Sequence, residues 1–517
     1  MSIRVRFAPS PTGALHIGGV RTALYNYLLA QKLGGTFVLR LEDTDQTRFV
    51  PGAEQYIIDT LKWCGIEPTE GVGFGEGQYA PYRQSERKEL YHGYAMKLIE
   101  SGDAYYAFDT PTELEAMRER LKNESNQAYS IVTRETMKNS LSLTQQEVTE
   151  LMNNSTPYVI RLKIPANQTI IINDLIRGEV SFNTIELDDK VLMKADGMPT
   201  YHLANIVDDY LMKITHVIRG EEWLPSAGHH ALIYKAFGWE ASMPRFAHLP
   251  LILKPDGKGK LSKRDGKKFG FPVFPLSWTG ETEEESFIGF REMGFDPRAV
   301  LNFLALLGWN NGTEQEIFSL EELCDKFSLE KINKSGARFD FDKAKWFNQQ
   351  YIMHTPNSVL AAQLYPLSIE KGFNVSKEYL AQFAGLMKER VTFFNEFLEK
   401  GSYFFKNIES FDDDNIKKRW KAENRIKFDN LKTLFSTLDF NHYEGETTPA
   451  HNMEHAVKEW INVNGLKMGE VLPLLRIALA GTMQGPAVFD MAILLGKDEV
   501  SKRLALAFDY FEKITSQ

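Results

Sequence analysis

Residues 6–30 read RFAPSPTGALHIGGVRTALYNYLLA. The run around Ile3–Phe7 predicts a strand over residues 3–8, which breaks at Pro9-Ser10-Pro11-Thr12-Gly13. Apolar residues at helical spacing then predict a helix over Val20–Leu33. Gly34-Gly35 ends it, and Thr36–Leu41 reads as a second strand. Further helical patterns cover Gly52–Cys64 and Glu86–Ser101. A strand–helix–strand start of this kind predicts a doubly wound parallel sheet. The strand-to-helix turn is rich in glycine, a setting where helix-start N–H groups favour anions. It is not a Walker A loop, since no Gly-Lys-Ser/Thr follows, and it is not GxGxxG. His16 directly before Gly18-Gly19 suits another geometry: the glycines let a nucleotide ring lie against the backbone, and the imidazole donates to a phosphate. On these residues alone, a capped helix with an incidental histidine explains the stretch equally well.

The rest of the composition bounds the function. A chain of 517 residues, 43% hydrophobic and 25% charged, has room for roughly three or four domains with a sizeable core. Its net charge of -9 argues against a bulk nucleic-acid coat but leaves room for a local basic face. Two cysteines, Cys64 and Cys324, favour a reducing compartment and exclude a cysteine-rich zinc knuckle. No apolar run approaches the roughly 18 residues of a membrane span, and the N-terminus lacks a signal-peptide apolar region. A cytoplasmic protein is expected.

Farther along, TPTELEAMRERLKN opens with a capping box, Thr110 to Glu113, with Pro111 at the first helical position. Thr144 and Glu147 repeat the signal. YVIRLKIP (158–165) and QTIIINDLIRGEVSF (168–182) read as antiparallel strands, so this region looks like an α+β insertion. Residues 190–223 read strand, turn, helix, strand, which predicts a return to the parallel sheet. After about residue 345 strand signals fade. Within 376–400, Leu380, Phe383, Ala384, Met387, Val391, Phe394 and Leu398 fall on one helical face. Residues 450–515 are similarly helical, and the acidic TGETEEES (279–286) reads as a loop.

A second chemistry-bearing stretch is KGKLSKRDGKK, Lys258 to Lys268. Taken alone, such a run is most often a solvated loop. Together, though, His16-Ile17-Gly18-Gly19 resembles the HIGH signature of class I aminoacyl-tRNA synthetases, and Lys260-Leu261-Ser262-Lys263-Arg264 resembles their KMSKS loop. More narrowly, RFAPSPTGALHIGG, LRLEDTD, YRQSER, GMPTYHLANIVDD, VIRGEEWL and KLSKR occur in the order of the bacterial-type glutamyl-tRNA synthetases. PLLRIALAG and LLGK extend the likeness into the C-terminal part. Gly19 stands where HIGH ends in histidine, and KLSKR replaces KMSKS; both are variations of this branch.

The resemblance implies a class I synthetase: a Rossmann-type doubly wound parallel sheet with an α+β insertion, then an all-α anticodon-binding part. The expected division is 1–100 and 191–255 for the two catalytic halves, and 101–190 for the acceptor-stem insertion. The KMSKS loop and stem-contact domain would occupy 256–345 and the anticodon-binding region 346–517. It implies a glutamate–tRNA ligase acting as a cytoplasmic monomer on ATP, L-glutamate and tRNA(Glu), with no membrane partner. It implies Mg²⁺ with the ATP, held mainly by phosphates and water. Relatives with zinc carry cysteines in the insertion; residues 102–135 have none, so no zinc is expected. His16, Gly18, Gly19, Lys260, Ser262 and Lys263 would serve catalysis, with His16 and Lys263 stabilising charge as pyrophosphate leaves. Arg6, Ala8, Ser10, Glu42, Tyr201, Asn205 and Arg219 would hold glutamate. The two arginines would take its carboxylates and Glu42 its ammonium. Glu222, Trp223 and Leu253 would lie near the adenosine. Without the resemblance, Arg6 reads as an exposed edge-strand arginine, Glu42 as a surface carboxylate and Tyr201 as packing.

For tRNA, Arg390, Arg476 and the loop Gly485-Pro486-Ala487-Val488 match anticodon contacts of the family. KKRWKAENRIK (417–427) is a candidate basic patch, or a solvated helix face. A glutaminyl-tRNA synthetase is disfavoured because its C-terminal part is β-barrel. A truncated relative that modifies a tRNA base is disfavoured by length. An enzyme that also charges tRNA(Gln) is the remaining alternative.

Overall fold

Arg4–Phe7 forms β1 at the centre of a five-stranded sheet, not at an edge. In the computed structural model the chain continues through β2 (Thr36–Leu39) and β3 (Glu70–Gly71). An inserted region carries β4 (Ala104–Ala107), β5 (Val159–Leu162), β6 (Thr169–Asp174), β7 (Gly178–Asn183) and β8 (Val191–Met193). The main sheet resumes with β9 (His216–Gly220) and β10 (Arg245–Leu249). The order is β10-β9-β1-β2-β3, and every neighbouring pair is parallel. The chain winds outward from β1 in one direction and from β9 in the other. The switch point therefore falls between β1 and β9, where open parallel sheets form a crevice at the strand ends. Residues 2–123, 127–280, 282–441 and 447–516 are described; Glu281 of the acidic loop lies outside them.

The first helix spans Ile17–Lys32, three residues earlier than the apolar pattern suggested. His16 is its N-cap, and its imidazole accepts from the Gly18 N–H, so the side chain starts the helix before the apolar stripe does. Glycine at 35 is required by close approach: a Cβ there would lie 2.5 Å from the Ile3 carbonyl oxygen.

The insertion folds as an antiparallel β4-β5-β8 sheet and a β6–β7 hairpin. Both expected capping boxes form, at Thr110–Glu113 and Thr144–Glu147. One expectation fails: Val191–Met193 does not rejoin the parallel sheet but pairs antiparallel with β5. Leu192 and Met193 pack with Ile160, Leu162 and Leu203, and that apolar cluster draws the strand into the insertion. The parallel sheet is regained only at β9. Strand β10 carries little sequence signal, and its place is set by parallel pairing with β9.

The chain divides into two compact units, Met1–Glu292 with Pro297–Phe341, and Met293–Asp296 with Asp342–Gln517. The elements of the second unit are helices around one core that includes Leu380, Phe383, Met387, Trp420, Leu475 and Phe508. The apolar stripe of 376–400 is buried as expected, with Phe394 only partly so, but it is not one helix. Lys377–Met387 ends in a 3₁₀ turn, Val391 is extended, and Glu396–Lys400 is a separate short helix. The Glu396 carboxylate accepts from the N–H groups of Thr392 (2.6 Å) and Phe393 (3.1 Å), which stabilises the break.

Candidate active site

At the switch point lies a cleft of about 680 Å³. Chain segments far apart in sequence form it: the β1 end through His16 and Gly19, Glu42 after β2, Tyr201 and Asn205, the β9 end through Trp223, and Lys260–Lys263. Of the residues expected to serve catalysis and substrate binding in this unit, all line the cleft except Leu253. Leu253 forms a short parallel pair with Arg338 and bridges to Lys260, so it supports the lysine loop from behind.

The histidine is fixed in one tautomer. Gly18 N–H donates to His16 Nδ1 at 3.0 Å, so the imidazole proton sits on Nε2. That Nε2 is buried and has no partner among the described residues. Burial, then the charges of Lys263 and Lys260, push its pKa down to about 3, so the ring is neutral and its Nε2–H is a donor at physiological pH. Lys263 stands opposite: its ammonium comes within 3.3 Å of where a Cβ on Gly13 would be, and burial lowers its pKa. Both side chains flank Phe274, with centroid distances of 5.8 Å for the His16 ring and 5.8 Å for the Lys263 Nζ. Lys260 differs. It is 54% exposed and its amine donates to Glu222 at 2.8 Å. Burial alone would raise Glu222, but that hydrogen bond and the lysine charge carry it below the ordinary carboxylate range. Ser262 lines the cleft and caps the helix Lys263–Phe269; its N–H and hydroxyl both donate to Asp265.

The amino-acid end is a buried charge network. Arg6, on the central strand, is 3% exposed, so the edge-strand reading is wrong. Its Nε and Nη2 donate to Asp209 at 3.1 and 3.3 Å. Asp209 also accepts from Arg40 at 2.7 Å, and Arg40 donates to Glu42 at 3.1 Å. Burial would raise Asp209, but Arg6 and Arg40 hold it below its ordinary value. Glu42, not a surface group, has a side chain 9% exposed and accepts from Asn205 at 2.8 Å. Burial raises its pKa despite Arg40 and Arg6. A buried carboxylate beside buried arginines, all lining one cleft, is a site for a zwitterion that carries an extra carboxylate.

Arg219, at the β9 end, donates from Nη1 to the Tyr201 hydroxyl at 2.6 Å and from Nη2 to the Trp223 carbonyl at 3.3 Å. Tyr201 is thus more than packing: it accepts from Arg219, and its ring lies 4.5 Å from that of Trp223. Tyr201 and Asn205 share one face of the helix Tyr201–Leu211, as their spacing predicted. Ala8 and Ser10 line the cleft from the β1 end. Sequence reasoning missed Arg40, Asp209, Asp174 and His248. Arg40 and Asp209 lie within the stretches LRLEDTD and GMPTYHLANIVDD, but nothing local assigns any of the four a role, because their partners lie on other elements.

In the helical unit, Arg390 ends the 3₁₀ turn and its side chain is 37% exposed. Arg476 donates to the Gly485 carbonyl at 2.9 Å and to that of Pro486, so it clamps that loop. Pro486 and Val488 are buried, leaving Ala487 exposed. Burial lowers the Arg476 pKa, and the charge of Arg390 adds to this, so the two guanidiniums are electrostatic neighbours. In 417–427, Lys421 pairs with Glu470 at 3.6 Å and Arg425 with Asp429 and Asp509 at 3.0 and 2.6 Å. Those pairs favour the solvated-face reading.

A switch-point cleft with a neutral capping histidine facing a loop lysine is the site of a class I aminoacyl-tRNA synthetase. The family model described as tRNA synthetases class I (E and Q), catalytic domain, matches residues 2–346, and the anticodon binding domain model matches 359–508. Among curated proteins the chain is 53% identical over 506 residues to the glutamate–tRNA ligase of Flavobacterium psychrophilum, covering 98% of each chain. It is 51% identical over 508 residues to that of Amoebophilus asiaticus, also covering 98% of each. A crystal structure of a glutamate tRNA ligase from Elizabethkingia meningosepticum, in complex with its amino acid, superposes with a TM-score of 0.93 at 48% identity, covering 98% of this chain and 99% of that one. Within that class, the chain belongs to the glutamate–tRNA ligase family.

Proposed function

We propose that this protein activates L-glutamate with ATP to glutamyl-adenylate and transfers the glutamyl group to the 3′ end of tRNA(Glu), releasing AMP and pyrophosphate. The observation that carries this reading is the pairing, in one cleft, of a two-arginine, one-carboxylate pocket with the His16–Lys263 pair. Arg6 and Arg219 bind the two glutamate carboxylates, Glu42 the ammonium, and Tyr201 and Asn205 hold Arg219 and Glu42 in place. A glutamate carboxylate oxygen attacks the α-phosphorus and the bond to the β-phosphate breaks. No protein nucleophile is needed, so catalysis rests on positioning and on charge stabilisation. The Nε2–H of His16 and the ammonium of Lys263 receive the developing charge, with Lys263 carried on a closing loop. Glu222 and Trp223 flank the adenosine. A terminal ribose hydroxyl of the tRNA then attacks the adenylate carbonyl and AMP leaves.

Both carboxylates of the cleft are already paired, Glu42 with Arg40 and Glu222 with Lys260. Mg²⁺ accompanying ATP therefore fits coordination through the phosphates and water, where it neutralises their charge. The tRNA substrate sets the enzyme's work in the cytoplasm. Pyrophosphate exchange tests the proposal: exchange should require ATP, L-glutamate and tRNA(Glu) together, and support by another amino acid in place of glutamate would refute it.

A discriminating enzyme is favoured over one that also charges tRNA(Gln). The third anticodon base is cytosine in tRNA(Glu) and guanine in tRNA(Gln). Cytosine offers two acceptors to an arginine that can only donate, whereas guanine presents donors on that edge. Arg390, partly exposed beside Arg476, is the proposed reader.

A further inference from the structure

Behind Arg219 lies a three-residue buried chain that the reaction itself does not use. Arg219 Nε donates to His248 Nε2 at 3.0 Å. His248 Nδ1 lies 2.6 Å from Asp174 Oδ2, and both side chains are 0% exposed. An arginine can only donate, so His248 Nε2 must carry the lone pair and Nδ1 the proton, which goes to the carboxylate. Asp174 is itself anchored at the β6–β7 turn, where its Oδ1 accepts from the N–H groups of Ile176 (3.0 Å) and Arg177 (2.9 Å). Burial would raise Asp174, but the His248 hydrogen bond and those N–H groups hold it low, so it stays an acceptor. Burial lowers the His248 pKa, against the Asp174 hydrogen bond and with the help of the neighbouring Arg219.

We propose that His248 and Asp174 are positioning residues that set the orientation of the Arg219 guanidinium, and so the enzyme's affinity for the substrate carboxylate. The inference rests on the reading that Arg219 binds glutamate. With Nε committed to His248, the two Nη groups form the edge that meets Tyr201, the Trp223 carbonyl and the ligand. A guanidinium that can rotate loses the coplanar fork that a carboxylate needs. Because Asp174 belongs to the insertion's hairpin and His248 to β10, the chain ties the acceptor-stem insertion to the amino-acid pocket.

Two variants separate positioning from packing. His248→Asn keeps a donor for Asp174 but is too short to accept from Arg219 Nε; His248→Gln reaches the Nε2 position. In pyrophosphate exchange with ATP and tRNA(Glu), His248→Asn should raise glutamate KM by roughly tenfold to a hundredfold, the range for a lost bond to a charged donor, with ATP KM unchanged. His248→Gln should recover most of that loss. Equal KM values in the two variants would overturn the proposal. Arg219→Lys separately checks the underlying reading: if it leaves glutamate KM unmoved, Arg219 is not the binder. Imidazole ¹⁵N shifts of the wild-type protein give a variant-free check. His248 should be the Nδ1–H tautomer, and an Nε2–H tautomer would refute the chain.

Discussion

Replacing Lys263 by alanine isolates the charge that the mechanism places on the loop. Coulomb's law gives a magnitude. At about 4 Å and an effective dielectric near 20, a unit charge pair is worth ~4 kcal/mol. ATP is already an anion in the ground state, so most of that attraction appears in binding. Only the charge that develops on the departing pyrophosphate, about half a unit, acts on the rate, which gives ~2 kcal/mol. At 1.36 kcal/mol per decade this is roughly a 30-fold fall in kcat. Losing a preorganised donor as well extends the range to about 10³-fold. Lys263→Ala should therefore lower the activation rate by about 30-fold to 10³-fold and raise ATP KM less. Lys260→Ala is the control. Its ammonium is 54% exposed and paired with Glu222, so screening limits its loss to less than about tenfold. Single-turnover adenylate formation and steady-state exchange measure both. Equal losses in the two variants, or a Lys263→Ala defect confined to ATP KM, would refute the assignment.

Other expectations follow from the same geometry. Wild-type enzyme should reject glutamine by about 10³-fold or more in kcat/KM, because a neutral amide leaves a buried guanidinium unpaired; if Arg219→Ala keeps the wild-type preference, another residue reads the side chain. Glu42→Gln should raise glutamate KM at least about tenfold with little change in ATP KM, since the ammonium loses its buried charged partner; an unchanged glutamate KM would move the ammonium site elsewhere. Stability should fall as pH drops from about 6.5 toward 3. His16 and His202 sit neutral in the fold with pKa values near 3 against an ordinary 6.5. In that window only the unfolded chain takes up their protons, so each contributes a loss of up to about 1.4 kcal/mol per pH unit. Urea midpoints that stay flat between pH 6.5 and 5 would contradict this. Arg390→Gln should narrow the preference for tRNA(Glu) over tRNA(Gln), and unchanged aminoacylation ratios would assign the reading to another residue.

What the sequence determined by itself was local. The period-2 run at 3–8, the helical period after it and the capping boxes at Thr110 and Thr144 follow from nearest-neighbour chemistry, and these elements form. The motif order was legible too, because His16-Ile17-Gly18-Gly19 and Lys260–Arg264 are contiguous. Tertiary structure decided what depended on distant partners. Val191–Met193 looks like any short apolar strand; the insertion's core, not its own residues, chose its sheet. The stripe over 376–400 recorded burial faithfully but not the chain break, because extended segments can also bury apolar residues and the Glu396 cap acts across a turn. Arg6 read as an exposed arginine because sheet order is invisible locally; strands arriving later flank β1 on both sides, and the helix Tyr201–Leu211 meets the side chain through Asp209. The same holds for the charges. Arg6, Arg40, Glu42 and Asp209 meet only once β1, β2 and the helix from Tyr201 pack together. Asp174, His248 and Arg219 are likewise joined by folding alone. A buried ion network is stable only as a whole, since each charge needs the others to offset its desolvation. No single stretch of sequence can announce such a network, which is why the motifs were readable and the pairings that hold them in place were not.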